Sequence, residues 1–417
     1  MLYLFKISSS LKFKHPLFND PIYGFIAIES DLILELINHP YFQRLRHITQ
    51  MGLSSLVYPG AHHTRFEHAI GAMHVMQKAI NVLLKKGISI SEKEQEAMQI
   101  AILLHDIGHG PFSHATEKTL LSGVNHEELS IRIIKLLNEE FKGALSLALK
   151  IFTNKYTRGF MHQLVSGQVD VDRLDYLKRD SFYTGVTEGN INTDRILSVM
   201  NVENEQLVFE SKGIHSLEKF LLARRLMYWQ VYLHKTSLVA ELVLVKVLIR
   251  FRTLIESGNN AIDPSHILFP FLNSSKSTKL KNNILDHYLK LDNTDILFLL
   301  KSWMSNEDIV LRKLSTQLIQ RELPKIEIQE NPFNISKTKN LKEKLVPLTS
   351  LDDLDYFVFT GDISNQMYSA NHTKILLKEK SGKIVPLESL INYLDFEQFS
   401  TPFHKYYLCY PKRISSL

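Results

Sequence analysis

Four residues in three short blocks could do chemistry together: His68 in HTRFEHAIG, the adjacent His105 and Asp106 in LLHDIGHGPFSH, and Asp172 in QVDVDRLDYLKRD. Two imidazoles and two carboxylates form a nitrogen–oxygen ligand set suited to a divalent ion that activates water. Neighbouring His and Asp side chains converge on one ion only where the backbone leaves regular structure, and the text around His105 reads as a helix end. Arg65 stands three residues before His68, so both occupy one side of a helix's first turn. His74 lies on the same helix but points elsewhere, as an ordinary core or surface histidine does. The second block also holds His109 and His114, donors or proton carriers near neutral pH. Gly108 and Gly110 are expected to leave room for a bulky anion against the backbone. In the third block Asp172, Asp175 and Tyr176 share a helix face that also brings in Arg179. Alone, that run reads equally well as a solvated, salt-bridged helix. Beside the other two blocks it reads as part of a phosphate site.

The elements that must position these residues are mostly helical. A helix is expected from near Arg65 through HAIGAMHVMQKAINVLLKK, with Gly87 as its C-terminal cap. Ser91 and Glu94 fit a capping box that opens the next helix, whose Ala97, Ile100, Ala101 and Leu104 make one apolar face. His105 and Asp106 end that helix, and Gly108, Gly110 and Pro111 stop it. Upstream, residues 1–30 read as strands and turns, with MLYLFKISSSLKF as an opening strand and NDPIYG as the clearest turn. Residues 31–56 read as helices divided at Pro40. The pattern stays helical from about 115 to 255, with loops near 122–126 and 184–193. Loops surround ILFPFL between 257 and 282, and helices return over 284–322. Beyond LPKIEIQENPF, the segments YFVFTG, TKILLKEKSGKIVPL and KYYLCYPK read as strands, with KSGK as a hairpin turn. The fold class is therefore mainly α: a helical catalytic domain over 1–324 with short N-terminal strands, and an α/β C-terminal domain over 325–417.

Bulk composition bounds the function. The chain has 417 residues, 44% of them hydrophobic and 10% aromatic, enough for a large core and unlike a disordered protein. Its single cysteine, Cys409, excludes an intrachain disulfide and a cysteine-based zinc site, and suits a reducing cytoplasm. The most apolar run, SLVAELVLVKVLIRF, carries Glu241 and Lys246, so no membrane span is expected. The net charge of +5 suits an anionic small substrate, and it is not the dense basic stripe of a dedicated nucleic-acid binder.

The three blocks resemble the HD-domain phosphohydrolases, and among them the deoxynucleoside triphosphate triphosphohydrolases that include bacterial dNTPases and the animal SAM-and-HD-domain enzyme. The match runs in order through NDPIYG, PYFQRLRHITQMG, YPGAHHTRFEHAIG, LLHDIGHGPFSH, NHEE, DVDRLDYLKRD and YLHK, covering roughly the first 240 residues. The resemblance implies an HD-type helical core with His68, His105, Asp106 and Asp172 as metal ligands. It implies a catalytic His109 beside the α-phosphate, and His126 with Glu127 as a pair supporting proton transfer. Arg65, His114, Arg173, Tyr176 and Arg224 fall where the family contacts the triphosphate. Gln50, Met51, Asp180 and Tyr232 fall along the sugar pocket. The implied cofactor is a divalent ion (Fe, Mn, Zn, Ni or Co), with Mg joining through the substrate phosphates. A nucleoside triphosphate is the implied substrate and a homo-oligomer, dimer or tetramer, the implied assembly.

Two departures bear on regulation. The animal relatives bind an activating guanine nucleotide through a Lys before the NDP turn and an Asp before the FQRLR string. Those positions hold Pro16 and Asn38, while Gln43 and Arg46 are kept. A GTP switch of that type is therefore not expected, and Arg46 fits an oligomer contact equally well. Tyr228 also replaces a polar residue near the family's substrate. Competing readings are an HD enzyme acting on a monophosphate or cyclic nucleotide, and a nucleotide sensor with slow turnover.

Overall fold

The computed structural model describes residues 16–121, 124–257, 266–272, 282–346, 350–365, 374–390 and 403–412, so the expected opening strand lies outside it. The described chain opens with a hairpin of β1 (Leu17–Asp20) and β2 (Gly24–Ala27), registered from Leu17 opposite Ala27 to Asp20 opposite Gly24. Asp20 closes the turn: its Oδ1 accepts the backbone N–H groups of Ile22 and Tyr23 at 2.8 and 3.0 Å. α1 (Asp31–Asn38) starts on a Ser30 cap and buries Ile33, Leu36 and Ile37. Pro40 then opens α2 (Pro40–Gln43), where its missing N–H costs nothing.

α3 (Arg65–Lys85) begins at a capping box of Thr64 and Glu67, and Gly87 follows its end at φ +84°. α4 (Glu92–Leu103) begins at the expected box of Ser91 and Glu94. The chain continues through α5 (Ser113–Thr119), α6 (His126–Glu140), α7 (Ser146–Phe152), α8 (Gly159–Val165), α9 (Val171–Thr184) and α10 (Thr193–Val199). α11 (Ile214–Met227) and α12 (Lys235–Glu256) are joined by a π-helical turn at Tyr228–Tyr232. α13 (Phe269–Leu272), α14 (Asn282–Tyr288), α15 (Asn293–Trp303) and α16 (Ile309–Ile319) follow. α3 is central, packed on α4 and α9 and burying residues along most of its length. The architecture is mainly α, and no described helix is long and apolar enough to cross a membrane.

One stretch expected to be helical is not. Residues 200–210 form a hairpin of β3 (Met200–Glu203) and β4 (Gln206–Glu210). Asn204 and Glu205 close it with φ of 50° and 60°. Two left-handed residues are what a two-residue hairpin favours, usually written Asn-Gly; Asn-Glu hides the signal.

The C-terminal part contains β5 (Lys325–Gln329), α17 (Ile335–Glu343), α18 (Leu354–Phe357), β6 (Phe359–Asn365), β7 (Leu376–Lys378), β8 (Ile384–Pro386) and β9 (Phe403–Tyr410). β5, β9 and β6 form one antiparallel sheet, and β7 and β8 make the hairpin around KSGK. β7 also pairs parallel with β4, so the sheet β3-β4-β7-β8 draws strands from both sides of residue 325.

Candidate active site

α4 ends at Leu103, and residues 104–108 turn away from its axis, which lets His105 and Asp106 face one point. His105 Nδ1 lies 2.6 Å from the carbonyl of Ile102. A carbonyl only accepts, so Nδ1 carries the hydrogen and Nε2 faces the site. The same logic sets His68: its Nδ1 lies 2.7 Å from Asp175 Oδ2, leaving Nε2 inward. The two Nε2 atoms are 3.4 Å apart. Asp172 Oδ1 is 3.1 Å from that of His68 and 3.4 Å from that of His105. Asp106 completes the set, with Oδ1 3.3 Å from His105 Nε2 and Oδ2 3.9 Å from His68 Nε2.

The electrostatics match a cation site. Burial opposes charge on His68, but hydrogen bonds and attraction from Asp172 and Asp175 outweigh it and raise its pKa to about 10. Burial likewise opposes ionisation of Asp172, and the two histidines drive its pKa well below the usual carboxylate range. These donors hold positive charge at their centre, and His68, His105 and Asp172 have ligand atoms close enough for one ion. They fit a divalent metal.

A second group sits beside the first. His109 Nε2 is 3.4 Å from Asp106 Oδ1, and its ring stacks on His126 at 3.9 Å. Burial, then the Arg65 charge, lower the pKa of His109 well below that of free histidine, so it is neutral near pH 7. Its Nδ1 is buried with no hydrogen-bond partner. His126 Nδ1 lies 2.9 Å from Glu117 Oε1. The expected partner Glu127 is not there: it is exposed in the first turn of α6. Successive helical residues point about 100° apart, so the neighbour of an inward His126 faces solvent. The side chain of His114, in α5, lies outside the described part.

The glycines of the second block also differ from expectation. A Cβ on Gly108 would strike the backbone of His126 and Ser130, and one on Gly110 would strike the Tyr288 ring. These positions admit α6 and Tyr288, not an anion. The Ser130 hydroxyl accepts from the Gly108 N–H at 3.0 Å and donates to the His105 carbonyl at 2.7 Å, which fixes the metal turn to α6. Gly108→Ala is expected to cost about 1–3 kcal/mol by overpacking, read as a lower thermal midpoint.

Beyond the cluster lies a cavity of about 500 Å³, lined by Gln50, Met51, Arg65, Tyr176, Asp180 and Tyr232 together with Tyr228, Glu241 and others. Arg65 Nη1 donates to Asp106 Oδ2 at 2.5 Å, yet its Nε is buried and unpaired. Arg173 is ion-paired to Asp170 with its Nε unpaired, and Arg224 Nη1 is also buried without a partner. Burial lowers the pKa of Arg224, which shares charge interactions with Arg173 and Tyr176. Buried guanidinium N–H groups left unsatisfied are an invitation to an anion. At the other end Asp180 is held between His63 and Tyr232. Asn38 is exposed at the end of α1, and Arg46 lies over the Phe66 ring at 3.6 Å while its Nε donates to Gln43.

Comparison with known proteins agrees with this geometry. Residues 65–180 match the HD domain, and residues 191–267 the HD-associated region. The uncharacterised YwfO protein of Bacillus subtilis is 34% identical over 313 residues, 73% of this chain and 70% of YwfO. A phosphohydrolase from Bacteroides thetaiotaomicron superposes with a TM-score of 0.90 at 45% identity, over 95% of this chain and all of that one. The chain belongs to the HD-domain phosphohydrolases. The Dictyostelium discoideum deoxynucleoside triphosphate triphosphohydrolase SAMHD1 homolog is 32% identical over 278 residues, 62% of this chain and 53% of its own length.

Several residues of this HD site escape a sequence reading. Arg44 is buried and donates to the carbonyls of Ile107 and His109 at 3.0 and 2.9 Å, pinning the HD turn from α2's end. Asp175, read only as a neighbour of Asp172, orients His68 and is gripped by Arg179. Glu117 had no signal beyond being an acid near histidines.

Proposed function

We propose that this HD enzyme hydrolyses deoxynucleoside triphosphates to a deoxynucleoside and tripolyphosphate. The observation that carries the reading is the set of unpaired, buried N–H groups on Arg65, Arg173 and Arg224 beside the His–Asp cluster. A polyphosphate is the ligand whose charge and acceptor count satisfy them. His68, His105, Asp106 and Asp172 would hold a divalent ion, which would supply a water whose pKa is lowered towards about 7 and a positive centre for the phosphate. The arginines would bind the triphosphate and orient its α-phosphorus towards the His–Asp cluster. The neutral His109, its Nε2 facing Asp106 Oδ1 at 3.4 Å, stands beside the α-phosphate. His126, oriented by Glu117, gives a proton to the departing 5′ oxygen. Gln50, Met51, Asp180 and Tyr232 take the sugar. In this reading the enzyme works in the cytoplasm as a dimer or tetramer, with Mg²⁺ bound to the substrate phosphates and no GTP switch.

The test offers purified protein each dNTP, each NTP, a monophosphate and a phosphodiester with Mn²⁺ or Mg²⁺. Tripolyphosphate from dNTPs is the expected product. Cleavage of only the monophosphate or diester would sink the reading, and nucleotide protection without product would make the chain a sensor. Within it, Glu117→Gln is expected to lower kcat roughly 100-fold, the low end of what a positioned proton-transfer group contributes. Glu127→Gln should leave kcat near the parent value. Steady-state kinetics of the two variants distinguish the carboxylates.

A further inference from the structure

We propose that His63 is a positioning residue that sets the sugar selectivity of the cavity; the proposal rests on the dNTPase reading above. His63 lies in the loop just before α3 and is buried, its side chain without solvent exposure. Its Nε2 is 2.7 Å from Asp180 Oδ1, while the Tyr232 hydroxyl donates to Asp180 Oδ2 at 2.6 Å. Both oxygens of this buried carboxylate are thus tied, one from each side. Among the described residues His63 Nδ1 is buried with no partner, so the side-chain hydrogen bond of the imidazole is the one to Asp180.

The ring's plane is also fixed. His63 stacks on Tyr183 at 4.4 Å and 13°, and the Tyr183 hydroxyl donates to Glu67 Oε1 at 3.0 Å. Glu67 is the closing residue of the α3 capping box, so the ring is anchored to the helix that carries Arg65 and His68. The carbonyl of His63 accepts the backbone N–H of Gln50 at 2.9 Å. One buried residue therefore ties together Gln50, Asp180 and Tyr232, all of which line the cavity. Tyr232 in turn stands edge-on to Tyr176 at 6.2 Å and to Tyr228 at 6.1 Å.

The physical consequence concerns the ribose 2′ position. With one bond to each oxygen, Asp180 is fixed in its plane and cannot turn its remaining lone pairs towards an added hydroxyl, and Tyr232 cannot swing aside without breaking its bond. Removing the His63 donor frees one carboxylate oxygen and lets the Tyr232 wall move. A ribonucleotide then meets an acceptor free to turn towards its 2′-hydroxyl, and space for that hydroxyl.

The test compares kcat/KM for dGTP and GTP in the parent, His63→Phe and His63→Gln, with thermal midpoints as the control. Phenylalanine keeps the stack on Tyr183 and loses the donor; the glutamine amide can still reach Asp180. The parent should prefer dGTP, His63→Phe should lose that preference by about tenfold or more, as for a lost hydrogen bond to a charged group, and His63→Gln should restore it. A merely structural histidine would lower the midpoint and leave the ratio unchanged, and that result overturns the proposal. If His63→Phe fails to fold, His63→Asn, whose amide is too short to reach Asp180, must lose the ratio that His63→Gln keeps. A parent equally fast on both nucleotides overturns the selectivity role while leaving the hydrolase reading intact. If no dNTP is hydrolysed, the hydrolase reading fails instead. The thermal shift by dGTP against GTP in EDTA, parent against variants, then decides the role of His63 alone.

Discussion

Asp106→Ala is expected to abolish both metal content and turnover. Asp106 is one of four inward donors, with its two oxygens facing His105 and His68 at 3.3 and 3.9 Å. Burial opposes its ionisation, yet His105, His109 and Arg65 outweigh that and hold its pKa well below the usual carboxylate value. It therefore carries a full negative charge at any working pH. Removing it deletes an inward carboxylate and the negative charge that the surrounding imidazoles and Arg65 require. Losing the several kcal/mol that a bound ion supplies to the transition state implies a fall of more than about 1,000-fold in kcat. Elemental analysis of protein purified without chelator and tripolyphosphate release provide the two measurements. Asp106→Asn keeps the volume without the charge and should fail in the same way, which separates ligation from packing. His74→Ala is the control. It sits on α3 but packs against Tyr23 at 5.3 Å and is not one of the inward donors, so it should keep both metal and turnover. Parental metal content and activity in Asp106→Ala would overturn the metal assignment.

What could be read in advance was local. The boxes at Thr64–Glu67 and Ser91–Glu94 announce where α3 and α4 start, and glycines and a proline announce where α4 must stop. That places Arg65, His68, His105 and Asp106 on known turns. Sequence spacing misleads where neighbours in space are not neighbours in sequence. Glu127 adjoins His126 in the chain, but Glu117 meets it across a turn between helices. Gly108 and Gly110 do signal close approach, but one-dimensional text does not say whether a ligand, a helix or a tyrosine makes it. The Asn204–Glu205 turn lacks glycine and so reads as helix. Also far apart in sequence is the pairing of Arg179 with Asp20. Asp20 reads as a turn residue, and it is one, but its second oxygen serves a guanidinium from α9.

Arg179→Met is expected to damage stability and metal binding together, for separable reasons. Arg179 is fully buried, with Nε and Nη2 on the two oxygens of Asp175 at 2.9 and 3.0 Å and Nη1 on Asp20 Oδ2 at 2.8 Å. Gly71 on α3 is what lets this network sit so close, since a Cβ there would strike both Arg179 and Asp175. Methionine fills much of the volume but leaves two buried carboxylates without their cation. Breaking a buried pair in this way costs about 3–5 kcal/mol, so the denaturant midpoint should fall accordingly. The catalytic consequence follows from Asp175, which holds His68 Nδ1 at 2.7 Å. An Asp175 that protonates or rotates no longer fixes the tautomer and angle of the ligand, and loss of such a partner weakens metal binding by about 10- to 100-fold. Adding Asp20→Asn to Arg179→Met removes one stranded charge and should recover part of the stability. It does nothing for Asp175, so metal affinity should stay low. Denaturation and metal titration of the single and double variants would thus move apart. If affinity instead recovered in step with stability, Arg179 would act on the fold alone and not through the orientation of His68.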